Sequence, residues 1–200
     1  MKVIFAHALF LITRAESLYT GKPERCARFT LSIQQWLTDI EIIRTDSIWD
    51  TVIAGSQDVD ISSLIKELGN SSWVDQGRQY VRANSKLCPF CQQETITDDF
   101  KERLERFFDA EYKGRVEKMQ TLLSKYQEIT GNIITAFEEV PKNETALSIG
   151  KFDTDIYFSK LKLLSTFYSD HEKSMKEKIK EPEKRITIPD VFSTVQENRI

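Results

Sequence analysis

Apolar residues in the second half of the chain recur every three or four positions, the period of one helix face. The longest such run joins Phe100, Leu104, Phe107, Phe108, Val116, Met119, Leu122, Tyr126, Ile129, Ile133 and Phe137, and it stops at Pro141. It predicts one long helix from Asp98 to Glu139, about 60 Å in length at roughly 1.5 Å per residue. Thr95 and Thr97 can cap its start, and Asp98 and Asp99 suit the positive end of a helix dipole. A polar connection, 142–150, leads to a second run of Tyr157, Leu161, Leu164, Tyr168, His171, Met175 and Ile179. That run predicts a helix over 156–180, packed on the first through Leu161, Leu164 and Tyr168. Pro182 ends it. The residues Arg185-Ile186-Thr187-Ile188-Pro189 then read as a short edge strand, since Pro189 could not donate to a central ladder.

Earlier in the chain the periods are shorter. Ile61, Leu64, Ile65 and Leu68 follow Asp60, a candidate cap, and Gly69 suits the end of that helix. Asn70-Ser71-Ser72 offers a turn or a new cap. Trp73, Gly77, Tyr80 and Val81 form a further stripe on a short helix that runs towards Cys88. Residues 1–59, with Trp36 and Trp49, show no clean period; one or two helices and a short strand are expected there. The resulting architecture is mainly α, with long antiparallel, coiled-coil-like helices around a CxxC turn and a less regular N-terminal third. Its segments are 1–59, a helical region 60–181, and a short strand and tail, 182–200.

Composition supports the helical reading. Charged residues make up 30% of the 200, hydrophobic ones 40%, and only 7 Gly and 5 Pro interrupt them. Strand-rich folds need more turn residues than that. The net charge of −3 denies the chain a global basic field, so nucleic acid is not expected as a partner of this chain alone. The apolar run from Val3 to Ile12 is too short to cross a bilayer, which takes about 20 apolar residues. Thr13-Arg14-Ala15-Glu16 after it offers no convincing cleavage site. It reads as the start of a buried helix, and the chain is expected to be cytoplasmic, without a membrane partner. Lys176 to Lys180 reads as a solvated helix face.

The candidate chemistry lies in Cys88-Pro89-Phe90-Cys91. CxxC spacing brings two sulfurs to one side of a turn, where they can share a metal ion. Zinc takes four ligands in a tetrahedron, so one pair is half a site. Cys26 lies far upstream, and His7 and His171 are isolated; none is taken as a third ligand. A second copy of the same turn can complete the shell, which makes the pair a zinc hook and the chain a homodimer. Two other readings of Cys88 and Cys91 stay open, a thiol–disulfide oxidoreductase and an inert structural pair. The redox reading needs a hydrophobic strand entering the first cysteine, and Arg82-Ala83-Asn84-Ser85-Lys86-Leu87 is not one. No phosphate-binding loop is found: Gly21-Lys22 is followed by Pro23 and lacks an upstream glycine. Hence no catalytic residue is assigned and no ATP hydrolysis by this chain alone is expected.

The stretch Ile61 to Val74 (ISSLIKELGNSSWV), Gln76-Gly77 and Cys88 to Gln93 (CPFCQQ) resembles the central region of a bacterial ATPase family. These are the AAA/ABC-type proteins related to the RloC anticodon nuclease, which carry a coiled-coil insertion with a zinc hook. Ile179 to Ile188 is similar to the point where the returning arm rejoins the ATPase head. The resemblance covers roughly 16–200. It implies a multi-domain relative whose nucleotide-binding and nuclease motifs match no residue here. Only Cys88 and Cys91 carry over, as zinc ligands. A separately encoded ATPase or nuclease part is the further partner that the resemblance implies.

Overall fold

The structure, a computed structural model, describes residues 23–140 and 154–189, with side chains from residue 31 onward. His7 and the apolar run 3–12, the connection 142–150 and residues 190–200 lie outside the described residues. The chain is mainly α, as its periodicity predicts. Helix α1 is Pro23–Arg44, α2 Ser62–Leu68, α3 Ser71–Arg78, α4 Asp98–Phe107, α5 Ala110–Glu139 and α6 Thr154–Lys180, with one 3₁₀ turn at Ser47–Trp49. Among the described residues there is no strand, only a single antiparallel bridge between Leu87 and Glu94. Nor is any described helix long and apolar enough to cross a membrane.

The chain forms two units. The first takes the described parts of Met1–Asp46, Leu122–Met175 and Thr187–Ile200; the second takes Ser47–Thr121 and Lys176–Ile186. In the first unit α5 and α6 run antiparallel. The Tyr157 hydroxyl donates to the Phe137 carbonyl (2.8 Å), the Tyr126 hydroxyl meets His171 Nδ1 (2.8 Å), and Gln127 donates to Glu172 (2.8 Å). Low numbers on one helix thus face high numbers on the other. Burial raises the pKa of both Tyr126 and Tyr168, so both hydroxyls stay protonated. Leu161, Leu164 and Tyr168 are buried on α6, as its seam predicts. Ile33, Ile40 and Ile43 give α1 a buried face in the same unit, and Arg44 donates to the Ile188 carbonyl (3.0 Å).

Several expectations need correction. The predicted helix 98–139 is broken at Phe108, whose φ of −91° and ψ of 64° leave the helical region. Phe107 and Phe108 are both buried, and neighbouring residues of one helix cannot share a face. Breaking the helix turns both rings inward. The Phe107 carbonyl accepts from Ser56 N–H (2.8 Å), and Asp109 accepts from Tyr112 N–H (2.9 Å) at the start of α5. Thr97 does cap α4, through Phe100 N–H (3.1 Å). Asp60 does not cap α2, where no side chain bonds the first turn; it lies 3.4 Å from Arg103 instead. Gly69 ends α2 in the left-handed conformation, φ 59°. Residues 185–189 form no strand: Ile186 N–H bonds the Trp49 carbonyl (3.0 Å) and the Ile188 carbonyl accepts from the Arg44 side chain (3.0 Å), but no ladder forms among the described residues.

Lys178 is the largest departure from the expected solvated face. The buried positions of α6 are Tyr157, Leu161, Leu164, Tyr168, His171, Met175 and Lys178, a rhythm of four and three that reaches Lys178 and passes over Ile179. Its ammonium donates to the carbonyls of Thr51 (2.6 Å), Pro182 (2.6 Å) and Lys184 (2.5 Å). Three donors meet three acceptors, which is what burying this cation requires. Burial lowers its pKa, partly offset by Glu183 and Asp50. Beside it, Ile53 N–H donates to the Pro182 carbonyl (3.0 Å), so the segment after α6 is tied to residues 49–53.

Lys178→Met should therefore remove three hydrogen bonds, leave the Thr51 and Lys184 carbonyls without this donor while Pro182 keeps that of Ile53, and cost about 3 kcal/mol of stability. For a chain of this size that lowers the unfolding midpoint by roughly 6–12 °C. Thermal unfolding followed by circular dichroism measures it; a fall under about 2 °C would mean that the ammonium is dispensable.

Candidate metal centre at the CPFC turn

The site belongs to the second unit. Helix α3 stops at Arg78, and the chain turns with Tyr80 N–H on the Gly77 carbonyl (3.1 Å) and Val81 N–H on that of Arg78 (3.1 Å). The next residues are polar and have no apolar period, so nothing recruits them into a helix. They close a small hairpin instead. Leu87 and Glu94 pair across it. Cys88 N–H donates to the Gln93 carbonyl (2.8 Å), Gln92 N–H to the Cys88 carbonyl (3.0 Å) and Ile96 N–H to the Lys86 carbonyl (2.9 Å). Buried Ile96 anchors the outgoing side, and Lys101 on α4 donates to the Ala83 carbonyl (2.8 Å) on the incoming side.

The sequence places long arms on either side of the turn. The helices that flank it, α3 and α4, have 8 and 10 residues, and the turn itself sits in irregular chain. The long antiparallel pair, α5 and α6, lies downstream and joins through the segment after Val140. The physical reason is the absence of apolar periodicity between 82 and 95, which leaves no seam for an arm to bury.

Within the turn, Pro89 fixes one torsion. Gln92, at φ 58°, is the one non-glycine residue with positive φ among those described. That conformation folds the chain back after Cys91. Backbone N–H groups, of Cys91 first and then of Phe90, donate to the Cys88 sulfur and hold its thiol below the ordinary range. The Cys91 and Thr95 side chains act in the same direction. Amides aimed at sulfur favour the thiolate, the form that binds a metal. Both cysteines are free; Cys88 is partly exposed and Cys91 exposed. Phe90 between them leans on α3, its ring stacked on Trp73 with centroids 5.5 Å apart. The ring also lies beside Gly77, where a Cβ would stand in ordinary contact with it at 3.9 Å.

Cys88 and Cys91 thus lie together, as the sequence predicts, within hydrogen-bonding reach of one another. No third ligand joins them: among the described residues no group of three or more His, Cys, Asp or Glu could hold a metal ion. His171 is committed to Tyr126 in the helix pair. Cys26 lies in α1, and its side chain is outside those described. The pair fits zinc in donor type and in its amide-supported sulfur, and supplies two of four ligands. The redox reading is poorly served, because no helix starts at the cysteines; α4 begins only at Asp98.

Residues 17–199 match the family model described as an AAA domain. The chain belongs to the AAA domain family. No curated protein and no solved structure matches it. The matched stretch includes the whole CPFC turn and every described helix, so the turn of this AAA domain chain lies within the family region. Sequence reasoning singled out the two cysteines but missed Gln92, since nothing marks a glutamine for a left-handed position. It also missed the support that Trp73 gives Phe90, although the Trp73–Gly77 stripe was its signal.

A left-handed torsion at Gln92 should be a condition of metal binding. Gln92→Gly is expected to keep zinc affinity, whereas Gln92→Val, with a β-branch penalised by about 1–2 kcal/mol in that conformation, should weaken it roughly tenfold. Competition against a chromophoric chelator reads the difference. Equal affinity in the valine variant would show that the turn geometry is unimportant.

Proposed function

We propose that this AAA domain chain is a zinc-dependent pairing element: Cys88 and Cys91 of two copies enclose one zinc ion. It serves as the hook-bearing part of an AAA/ABC-type ATPase of the anticodon-nuclease-related kind, without nucleotide hydrolysis of its own. One observation carries the reading. An exposed turn holds two thiols beside one another, with amides directed at one sulfur, and the described chain offers no further ligand. A half-filled tetrahedron is completed most simply by its own symmetry mate, because a two-fold axis through the ion makes the two ligand pairs equivalent. A separately encoded ATPase or nuclease part would be the further partner of the pair.

Sedimentation mass with zinc, and then with a chelator, tests the proposal. The expected result is one zinc per two chains and a mass that doubles with zinc. Cys88→Ser and Cys91→Ser should each abolish most pairing, since each removes two of four ligands, and Cys26→Ser should leave it unchanged. Thiolates must lose their protons to bind, so pairing should fade as pH falls below about 6. A mass indifferent to zinc, or a Cys26→Ser defect equal to that of Cys88→Ser, contradicts the proposal. Turnover of a model disulfide by the metal-free protein would favour the oxidoreductase reading.

A further inference from the structure

The CPFC turn does not stand in open solvent alone. Phe90 is 63% exposed and Trp73 is 59% exposed, yet their rings stack on one another rather than sinking into the core. The ring of Phe90 lies beside Gly77 of α3, its edge 3.9 Å from where a Cβ would stand. Leu87, next to Cys88 in the chain, is also more than half exposed. An apolar pad therefore adjoins the two thiols, with one of its rings between them in sequence. Single exposed apolar residues occur elsewhere on the chain, such as Tyr80 and Leu31; two stacked rings beside a pair of candidate ligands form a contiguous patch instead.

We infer that the Trp73–Phe90 pad is the contact face of a second copy of this chain in the zinc-linked pair. The inference rests on the proposed pairing and adds the surface through which it occurs. Geometry gives the occupant. With Zn–S bonds of about 2.3 Å, sulfurs around a tetrahedral ion lie roughly 3.8 Å apart. A partner that brings two sulfurs this close to Cys88 and Cys91 sets its own turn beside the turn that carries Phe90. When the partner is the same chain, its turn carries the same ring, and each pad is offered an apolar surface of equal size.

Area explains why the metal is needed. Complete burial of an aromatic side chain covers about 150–250 Å². Two facing pads, each about two-fifths covered by its own chain, bury several hundred Å² together, below the roughly 1,200 Å² at which specific interfaces become stable. The pad is too small to hold two copies without zinc. It is large enough to orient them once the ion holds the tips together, and buried aromatic contacts of this kind typically carry tenfold effects on affinity.

Hydroxyl-radical footprinting of the full chain, with zinc and with chelator, tests the inference alongside sedimentation of Trp73→Ala and Phe90→Ser. Zinc should protect Trp73 and Phe90 from oxidation and leave Phe158, exposed on α6, as reactive as before. Both variants should still bind one zinc per two chains at high protein concentration, with the dissociation constant of the pair raised at least tenfold. Phe90→Ser removes a mostly exposed ring and its stacking on Trp73 but keeps the backbone amide, so far-ultraviolet circular dichroism should be unaltered. If zinc doubles the mass while Trp73 and Phe90 stay reactive and both variants pair like the parent, the pad is overturned and the zinc pairing stands. If zinc does not change the mass, the pairing has failed and the pad falls with it.

Discussion

Two adjacent phenylalanines, Phe107 and Phe108, organise the second unit. Both rings are buried and meet edge to face with centroids 4.8 Å apart, an arrangement no single helix face can provide. The break they enforce between α4 and α5 exposes the Phe107 carbonyl to Ser56 and turns Phe108 towards α3. There the Arg78 guanidinium lies 4.7 Å over its ring, while Asp75 accepts from Arg78 (2.5 Å) and from the Tyr112 hydroxyl (3.1 Å). Gly55 is held to glycine by the same contact, since a Cβ would stand 2.6 Å from the Phe107 carbonyl oxygen. Helix α3 is thus fixed from below by Phe108 and Tyr112, and its exposed side carries Trp73 and Gly77. The CPFC turn rests on that exposed side. Its position follows from the aromatic break.

What the proposed zinc site would need is set by the coordination number of the ion. Two thiolates satisfy half a tetrahedron, and the described chain contributes nothing more. The arrangement is suited to a contact that forms only when two tips meet. It also separates the metal from the stability of the helices. The α5–α6 pair is held by Tyr126 with His171 and by Tyr157 with the Phe137 carbonyl, none of which involves a cysteine. The far end of α6 is held by Lys178 and its three carbonyls. In the proposed pair, loss of zinc would then dissolve the pairing and leave the fold in place.

Much of the helical architecture was legible because its buried positions recur at regular intervals. Met119, Tyr126 and Ile133 on α5, and Val140 just after it, lie seven apart and are all buried, and α6 alternates four and three along its length. The same rule, followed one step further, would have found Lys178. Its charge hid it, since a lysine in the last turn ordinarily points to water. The break at Phe108 was hidden for the opposite reason: a second phenylalanine looks like more of the same seam, and only its burial beside Phe107 shows that one helix cannot serve both. Cys88 and Cys91 were plain from spacing. The hairpin that holds them was not, because its hydrogen bonds are backbone to backbone and the residues around it, Asn84 to Lys86 and Gln92 to Glu94, carry no periodic signal. For that reason the arms were expected beside the turn, although the long helices lie after it.

If two chains supply four sulfurs to one ion, X-ray absorption at the zinc edge of the metal-loaded, dimeric protein should show it directly. The expected spectrum has a first shell of four sulfurs at about 2.3 Å and no nitrogen or oxygen neighbour. A shell of two sulfurs completed by lighter atoms at about 2.0–2.1 Å would contradict it.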